Sequence, residues 1–367
     1  MKRSISDFSP VAIVGVGLIG GSLAQAFRRM GDVEIIGISS PATVAAALDQ
    51  RVIDTGGGYE ELERLIPAAR TVFLCTPIQR IIEMLPAVGR AARRGALITD
   101  VGSTKAEIVE AARSAMPEGV TFLGGHPMAG SEQSGLNASD PFLFQNAMYA
   151  LTPMDTTPIE ELERLAWLVG ELGARVVVLE PSVHDRVAAA VSHVPQLLSL
   201  ALVELVGDRN IEEPAHLQMA AGGFRDMTRI ASSPYRMWRD ILATNTDAVR
   251  DALADLRARL SEMERDLSGQ MEDHFASANR TRGAIPKDSK GFLASMFDVL
   301  VRCEDKPGVL ARITNVLADA GVDIKDIELL KIREGEGGTF RLAFRDSESA
   351  AYAVKLLNGA GFSAAAL

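Results

Sequence analysis

Cysteine is scarce in this sequence, with only Cys75 and Cys303 among 367 residues. The two lie in segments that we assign to different domains, and Cys75 falls in a buried-strand pattern. A disulfide framework is therefore not expected, and a reducing, cytoplasmic environment fits best. Two cysteines are also too few for a cysteine-based zinc cluster, and we predict no metal site.

Positive charge is also in short supply, because 38 Lys+Arg stand against 48 Asp+Glu and give a formal net charge of −10. Nucleic acids and anionic membranes need clustered positive charge, so we expect neither as a partner. The N-terminal segment has no apolar run, and we expect no signal peptide. One apolar stretch, Val187–Val206, approaches the length of a membrane span. It contains His193 and Glu204, and such polar positions favour a buried helix.

A chain of this length is too long for one ordinary core, so we expect two or three domains. From residue 11 to about 180, apolar runs of strand length alternate with helical patterns, which predicts an α/β, Rossmann-like doubly wound parallel sheet. The predicted strands are Val11–Gly15, Val33–Ile38, Thr71–Cys75, Leu97–Asp100, Thr121–Gly124, Ala147–Leu151 and Arg175–Leu179. The helices predicted between the first four are Gly20–Met30, Pro41–Gln50 and Ile78–Arg93.

The strand pattern stops at about residue 181 and returns near residue 295. Between these points we predict an all-helical domain whose apolar faces are buried against a second copy of the chain, and so a homodimer. Its helices are Ser182–Val206, Glu213–Ala221, Pro234–Asn245 and Thr246–Leu267. The polar segment Asp273–Lys290 is expected to be an exposed linker.

The last segment has the order βαββαβ, which predicts a small α+β, ferredoxin-like domain. Its predicted elements are Ser295–Cys303, Val309–Ala320, Val322–Leu330, Gly338–Phe344, Ser347–Leu357 and Gly361–Leu367. We therefore divide the chain into a Rossmann domain (1–180), a helical domain (181–285) and a ferredoxin-like domain (295–367).

A glycine motif follows the first predicted strand and opens a helix, which is the context that a dinucleotide site requires. Gly15 permits a tight turn, Gly17 lets the backbone approach a pyrophosphate, and Gly20 lets the helix pack close to the strand. The first helical residues, Leu18 and Ile19, would present free N–H groups to phosphate. We predict an NAD or NADP site here.

Two further segments are candidates for the same site. The second strand ends at Ser39 and Ser40, where an NAD-preferring protein usually has a carboxylate for the ribose 2′-hydroxyl. No acid is present, but no arginine for a 2′-phosphate follows directly, so the choice between NAD and NADP stays open. Thr76 and Pro77 would line the nicotinamide-ribose side, and an ordinary strand-to-helix turn is the alternative.

Several specific motifs occur in order along the chain. They are Asp100–Lys105 (DVGSTK), Gly125–Glu132 (GHPMAGSE), Ser192–Gln196 (SHVPQ), Gly222–Arg229 (GGFRDMTR) and Met237–Ile241 (MWRDI). With them, residues 11 to about 250 resemble the prephenate and arogenate dehydrogenases of tyrosine biosynthesis. Asp305–Leu310 (DKPGVL) resembles the start of an ACT domain, a small regulatory module.

The resemblance implies an NAD(P)-dependent oxidative decarboxylation of prephenate to 4-hydroxyphenylpyruvate. Hydride leaves ring C4 for the nicotinamide while the C4 hydroxyl loses its proton, and CO2 leaves C1. By resemblance, His126, which we expect on an exposed Gly-rich loop, assists the deprotonation. Ser103 would share hydrogen bonds with that hydroxyl and the nicotinamide, with a helix-capping serine as the alternative reading.

Arg229 resembles the family arginine that grips the ring carboxylate in a bidentate pair. His193 and Gln196 lie three residues apart on one helix face, and Pro195 predicts a kink in that helix. Many family members have histidine in place of Gln196, so the choice between prephenate and arogenate stays open. The resemblance also places four other residues at the substrate: Gly222, Ser131, Glu132 and Trp238, with a core aromatic as the alternative for Trp238.

In the ACT-like segment, the turn at Gly308 precedes a helix N-terminus, which suits an amino-acid carboxylate. Asp323 and Ile324 would form the opposite wall if two such modules pair. By family analogy we expect tyrosine as a feedback effector, while a module that only aids dimerisation is the alternative. The candidate effector residues are Asp305, Gly308, Val309, Leu310, Asp323 and Ile324.

Two other protein classes were weighed against this one. β-Hydroxyacid dehydrogenases also join a nucleotide domain to a helical domain, but they typically use a lysine there, and no lysine occurs between Lys105 and Lys287. A non-enzymatic amino-acid sensor is the other alternative. Intact Ser103, His126 and Arg229 count against it.

Overall fold

The computed structural model describes residues 3–130, 133–285, 296–304, 306–333 and 337–366. The chain forms two compact units, residues 1–276 and 277–367. The first unit contains a large sheet followed by helices, and the second contains a small antiparallel sheet.

The large sheet has eight strands in the order β3-β2-β1-β4-β5-β6-β7-β8. The strands are β1 Val11–Val14, β2 Ile35–Ile38, β3 Thr55–Gly57, β4 Thr71–Leu74, β5 Leu97–Asp100, β6 Thr121–Pro127, β7 Met148–Thr152 and β8 Arg175–Val178. Neighbours from β3 to β6 are parallel, as are β7 and β8, which confirms the predicted Rossmann-like fold.

Two features of this sheet differ from the prediction. β6 and β7 pair antiparallel, so the sheet is mixed rather than wholly parallel. The short edge strand β3 was missed, because its sequence, TGG, has neither apolar residues nor the alternation by which strands are recognised.

Helices cover both faces of the sheet, which is why most of its strands read as continuous apolar runs. Val11 and Ile13 of β1 belong to one buried cluster, and Ala12 and Val14 belong to the other. The helices of this region are α1 Leu18–Met30, α2 Pro41–Asp49, α3 Leu62–Leu65, α4 Ile78–Ala91, α5 Ala106–Ala115 and α6 Ile159–Glu171.

The turn between β1 and α1 needs its glycines for different reasons. Gly15 has φ +97°, which favours glycine, and a Cβ there would lie 2.7 Å from the carbonyl oxygen of Cys75. A Cβ on Gly20 would lie 2.1 Å from the carbonyl oxygen of Gly15, so α1 can approach β1 only without it. A Cβ on Gly17 would meet no described atom within 4 Å.

After the sheet the unit is helical. The elements are α7 Pro181–Ala188, α8 Val194–Glu212, α9 Ala215–Gln218, α10 Gly222–Thr228, α11 Tyr235–Thr244, α12 Thr246–Asp266 and α13 Met271–Ala284. α7 and α8 are joined by a π-helical segment, Ala189–His193, that ends just before Pro195. Because Pro195 has no N–H, it leaves the carbonyl of Val191 without its usual partner, so the irregularity lies where a kink was predicted.

The predicted exposed linker Asp273–Lys290 is almost entirely exposed where it is described, and the two units divide within it, but it is helical rather than irregular. Residues 273–284 belong to α13, and residues 286–290 lie outside the described part of the chain. The segment reads as a linker because it is polar, but before Gly283 it contains neither glycine nor proline to interrupt a helix.

The continuous helix Pro181–Glu212 is long and apolar enough to cross a membrane, with a mean hydropathy of 1.5 over an 18-residue window. A single such helix is weak evidence, because core helices of soluble proteins share these properties. Only 28% of that window is buried, so the prediction of a buried helix holds for one face only. Val187, Val191 and Val203 are exposed on the remainder.

The second unit has the predicted βαββαβ order and the ACT-like, ferredoxin-like fold. Its antiparallel sheet has the order β10-β11-β9-β12. The elements are β9 Phe297–Cys303, α14 Val309–Asp319, β10 Asp326–Arg333, β11 Gly337–Phe344, α15 Ser347–Gly359 and β12 Ser363–Ala366. Its core joins both helices to the sheet through Val299, Ile313, Leu342 and Leu357.

The glycines of the β1–α1 turn predict contrasting variants. Gly20→Ala should lower the free energy of unfolding by about 1–3 kcal/mol, because the new methyl group forces α1 away from β1. Gly17→Ala should leave it within about 1 kcal/mol of the parent. Chemical denaturation of both variants measures this, and equal stability of the two would contradict the packing argument.

Candidate active site

The carboxyl ends of four adjacent strands, β1, β4, β5 and β6, lie along one edge of the sheet. This edge is where the strand order reverses, since β2 lies on the far side of β1, and ligands of doubly wound sheets bind at such a point. Gly15, Thr76, Ser103 and His126 follow or end these strands. The structure therefore brings the predicted cofactor and catalytic segments to the same edge.

The start of α1 fits the pyrophosphate of a dinucleotide. Gly17 is the N-cap of this helix and, in the described structure, contributes no side-chain cap to the first N–H groups. Leu18 and Ile19 are half-buried, so these N–H groups are accessible. The hydroxyl of Thr76 is buried and lacks a hydrogen-bond partner among the described residues, which also suits a polar ligand.

The two serines after β2 have different surroundings. Ser39 is buried, and its N–H donates to the carbonyl of Gly57. Ser40 caps α2 by accepting a hydrogen bond from the N–H of Thr43 at 3.3 Å. Pro77, also predicted to line the cofactor site, is the N-cap residue of α4. The choice between NAD and NADP is left open by these contacts.

A fully buried charge pair lies between the ends of β5 and β6. The carboxylate of Asp100 pairs with the ammonium group of Lys105. It also accepts the N–H groups of Gly102 at 2.7 Å and Gly125 at 3.1 Å. Lys105 donates in turn to the carbonyl of Gly125 at 2.7 Å. These bonds hold the backbone immediately before His126, and their number offsets the cost of burying both charges.

His126 lies in strand β6 and not on an exposed loop, so that part of the prediction is wrong. It pairs with Ala150 of β7, and its side chain is only 8% exposed. The glycines before it suggested a loop, but they serve close packing, because a Cβ on Gly125 would lie 2.7 Å from the carbonyl oxygen of Asp100.

The ring of His126 is held by two residues that the sequence analysis missed. Its Nδ1 lies 2.8 Å from Nε2 of His184, and Nδ1 of His184 lies 2.8 Å from a carboxylate oxygen of Asp185. Both residues belong to α7 and are buried. Adjacent titratable residues near the start of an otherwise apolar helix are the signal that would have found them.

Asp185 also caps α5. Its carboxylate accepts the N–H of Lys105 at 2.7 Å and that of Ala106 at 2.9 Å. The alternative reading of Ser103 as the helix cap is therefore wrong, because α5 begins at Ala106, and its N-terminus is capped from another segment of the chain. The catalytic role of Ser103, which is half-buried beside this helix, stays a prediction.

The environment keeps both active-site imidazoles neutral. Burial, with smaller electrostatic contributions from His184, Lys105 and His193, holds the pKa of His126 well below 6.5. Burial also lowers the pKa of His193 from 6.5 to about 4. A neutral imidazole can accept a proton, so His126 has the protonation state of a general base at neutral pH.

One face of the long helix carries polar side chains that are buried, namely His193, Gln196 and Ser199. The amide oxygen of Gln196 and the hydroxyl of Ser199 have no hydrogen-bond partner in the described structure, nor does the indole N–H of Trp238. Buried polar atoms normally have partners, so a polar ligand or water is expected at this face. Ser199 was not predicted.

Trp238 agrees with its core-aromatic alternative, while its role at the substrate stays a prediction. It packs against the buried cluster below the sheet, and its ring meets that of His193 edge-on at a centroid distance of 5.9 Å. The other side of His193 is held by Asn245, whose amide nitrogen lies 3.2 Å from Nδ1. Asn245 also donates to the backbone carbonyl of Asp185 at 2.8 Å, which links the two halves of the site.

The remaining predicted substrate residues are less enclosed. Gly222 begins α10, and Arg229 begins a 3₁₀ turn, Arg229–Ser232, that packs on α8. Both are exposed, unlike His126 and His193. Ser131 and Glu132 lie outside the described residues. The contact of Arg229 with a ring carboxylate stays a prediction.

In the ACT-like unit, Gly308 has φ +85° and caps α14, whose first residues are Val309 and Leu310. Asp323 pairs with Lys325. Asp323 also lines a surface cleft of about 690 Å³ that does not include the Gly308 turn. Ile324 packs against the core of the unit. Asp305 is outside the described residues.

Within the described part of the chain, no group of three His, Cys, Asp or Glu side chains is arranged to hold a metal ion.

Comparison with known proteins identifies three family regions. Residues 23–178 match the model "Prephenate dehydrogenase, nucleotide-binding domain", residues 180–280 match "Prephenate dehydrogenase, dimerization domain", and residues 297–356 match "ACT domain". Prephenate dehydrogenase from Bacillus subtilis is 35% identical over 345 residues, which cover 92% of each chain.

Solved structures agree. Prephenate dehydrogenase from Aquifex aeolicus, in complex with hydroxyphenyl propionate and NAD+, superposes with a TM-score of 0.68 at 30% identity. The match covers 76% of this chain and 98% of that one. Arogenate dehydrogenase from Synechocystis superposes with a TM-score of 0.66 at 33% identity, covering 75% and 98%.

The depressed pKa of His193 predicts a pH-dependent stability. As pH falls from about 6.5 towards about 4, the unfolded chain binds a proton at this residue while the folded protein does not, so the folded protein loses stability. His193→Gln removes this contribution, and the stability gap between parent and variant should shrink by about 1–3 kcal/mol over that range. Denaturant unfolding at several pH values measures it. Ser199→Ala, on the same face but not titrating, should show a constant gap. A constant gap for His193→Gln would overturn the argument.

Proposed function

Because the chain belongs to the prephenate dehydrogenase family and is therefore an NAD(P)-dependent, decarboxylating oxidoreductase, we propose that its own substrate is prephenate. The family resemblance drawn from the motifs is confirmed by these matches. The observation that supports the substrate best is a buried, neutral His126 at the sheet edge where the dinucleotide turn also lies. The products would be 4-hydroxyphenylpyruvate, CO2 and the reduced cofactor.

The cofactor would be held by the glycine turn and the neighbouring strand ends. The residues are Gly15, Gly17, Leu18, Ile19, Gly20, Ser39, Ser40, Thr76, Pro77 and Ser103. When bound, the nicotinamide supplies the acceptor for the hydride from ring C4. His126 accepts the proton of the C4 hydroxyl at its Nε2, while Ser103 orients that hydroxyl. The electrons of the breaking C1–carboxylate bond then complete the aromatic ring as CO2 departs, and the C4 oxygen, now a phenolate, takes the proton back from His126.

The substrate carboxylates would be bound from the helical side. Arg229 pairs with the ring carboxylate, and the side chain of the substrate meets Gln196 and His193. Gly222, Ser131, Glu132 and Trp238 complete the pocket. Arogenate is the second candidate substrate, because the amide of Gln196 can bond an ammonium group through its buried, unpartnered oxygen as well as a carboxylate through its N–H.

Replacing the proposed base tests the mechanism. His126→Asn should lower kcat for prephenate by about 10²–10⁴-fold, because the asparagine amide cannot take the hydroxyl proton. The affinity for NADH should stay within about threefold of the parent. Steady-state kinetics with prephenate and arogenate, each with NAD and NADP, measure activity and preference together. Parent-like turnover by the variant would remove His126 from the mechanism.

We further propose that the helical domain forms a homodimer and that the enzyme is cytoplasmic. The exposed valines of the long helix, Val187, Val191 and Val203, supply an apolar surface in the region that matches the family's dimerization domain. Exposed apolar side chains in a family dimerization region are typical of an interface between subunits.

We also propose tyrosine as the effector of the ACT domain. The first N–H groups of α14, after the Gly308 turn, suit a carboxylate, and Asp323 of a second, paired ACT module suits an ammonium group. The alternative, in which the domain only supports dimerisation, predicts no change of activity when tyrosine is added.

Tyrosine titrations distinguish these alternatives. Millimolar tyrosine should reduce prephenate oxidation by the full chain at least severalfold, and removing residues 291–367 should abolish that response while keeping activity. Asp323→Ala should weaken the inhibition about tenfold in tyrosine concentration, because it removes the carboxylate for the ammonium group. Asp319→Ala, at an exposed acid of the same unit that does not line the cleft of Asp323, is the matched control. An unresponsive full chain would sink the feedback proposal.

A further inference from the structure

We propose that His184 and Asp185 are positioning residues that set the tautomer of His126, so that its Nε2 is always presented to the substrate without a proton. This inference rests on the proposed function for its catalytic meaning, although the tautomer itself is a property of the resting protein. It gives a role to His184 and Asp185, which are buried and have no other function in the proposed mechanism.

The first step concerns Asp185, which can only accept hydrogen bonds. Its two oxygens receive the N–H groups of Lys105 and Ala106 at the start of α5. That helix has 10 residues, and the positive end of its dipole favours a negative charge. The carboxylate is therefore held ionised, and its short contact with Nδ1 of His184 must be an N–H donated by the ring.

The second step follows from the chemistry of a neutral imidazole, which has one N–H and one lone pair. With its proton on Nδ1, His184 offers a lone pair at Nε2. The contact at 2.8 Å between this atom and Nδ1 of His126 then needs a proton on His126 Nδ1. Nε2 of His126 is left with its lone pair free, which is the state a base requires.

The third step concerns charge. The titratable groups facing His126 are His184, Lys105 and His193, with Asp100 neutralising Lys105 and Asp185 lying behind His184. When Nε2 takes the proton from the substrate, Nδ1–H stays bonded to His184. His126, His184 and Asp185 together are called the relay below. The polarised ring of His184 lets the negative charge of Asp185 stabilise the new imidazolium, and both Nδ1 protons stay where they are. Burial alone would oppose that charge strongly.

The relay is also assembled from two domains, since His126 belongs to the sheet and the other two residues belong to α7. Its geometry therefore exists only when α7 is docked on α5. In hydrolases that place a single histidine between carboxylate and nucleophile, replacing the carboxylate by an amide leaves the wrong tautomer and lowers kcat by about 10⁴-fold. Here the imidazole of His184 lies between the carboxylate and His126. The carboxylate therefore sets the tautomer of His184, and His184 sets the tautomer of His126.

The decisive experiment reads the tautomers directly. Nitrogen NMR of the ¹⁵N-histidine-labelled full chain near pH 7.5 should show His126 with its proton on Nδ1 and not on Nε2. His126→Asn and His184→Gln identify the signals. In Asp185→Asn the amide can donate to Nδ1 of His184, which reverses both rings and puts the proton on Nε2 of His126. We expect kcat to fall by about 10²–10⁴-fold, with KM and NADH affinity within about threefold.

A matched control comes from the same domain junction. Thr244→Val removes the buried hydrogen bond of 2.7 Å between the hydroxyls of Thr104 and Thr244, without touching the relay. It should keep the parent tautomer and the parent kcat. If Asp185→Asn fails to fold, His184→Phe removes the acceptor alone and should give a mixture of His126 tautomers.

Two results would overturn the proposal. One is a parent protein whose His126 carries its proton on Nε2. The other is an Asp185→Asn or His184→Phe variant that keeps both the parent tautomer and the parent kcat. If the parent does not oxidise prephenate, the proposed function fails, but the NMR measurement still decides the tautomer.

Discussion

The buried carboxylate of Asp185 is the group on which the geometry of the active site depends. It closes the N-terminus of α5 and holds His184, and through His184 it holds His126. A buried charge that loses its partners is strongly destabilising, so the three groups that contact this carboxylate must keep one arrangement. The orientation of the proposed base, His126, therefore depends on the docking of α7 on α5.

A second buried charge pair lies on the other side of the same histidine. Asp100 and Lys105 hold the backbone of Gly125 through hydrogen bonds, while the imidazole of His184 holds the ring of His126. Burial, and to a smaller extent the positive charge of Lys105, disfavours protonation of His126. The neutral His126 is thus held in the interior by ionic groups that are themselves hydrogen bonded.

The ligand-facing side of the helical domain has the opposite character. Gln196, Ser199 and Trp238 bury polar atoms that lack partners among the described residues, whereas both ring nitrogens of His184 are paired. This contrast is consistent with a bound molecule that supplies the missing partners. The same long helix carries exposed valines on its other faces, which suits a surface between subunits.

The sequence by itself determined the order of elements, the glycine turn, the family and most candidate residues, because local periodicity and short motifs encode them directly. Only the tertiary structure decided that His126 lies in a strand, that Asp185 and not Ser103 caps α5, and that His184 joins them. His184 is separated by 58 positions from the histidine that it orients. No periodicity spans that distance, since such a contact arises from the packing of α7 against the sheet domain.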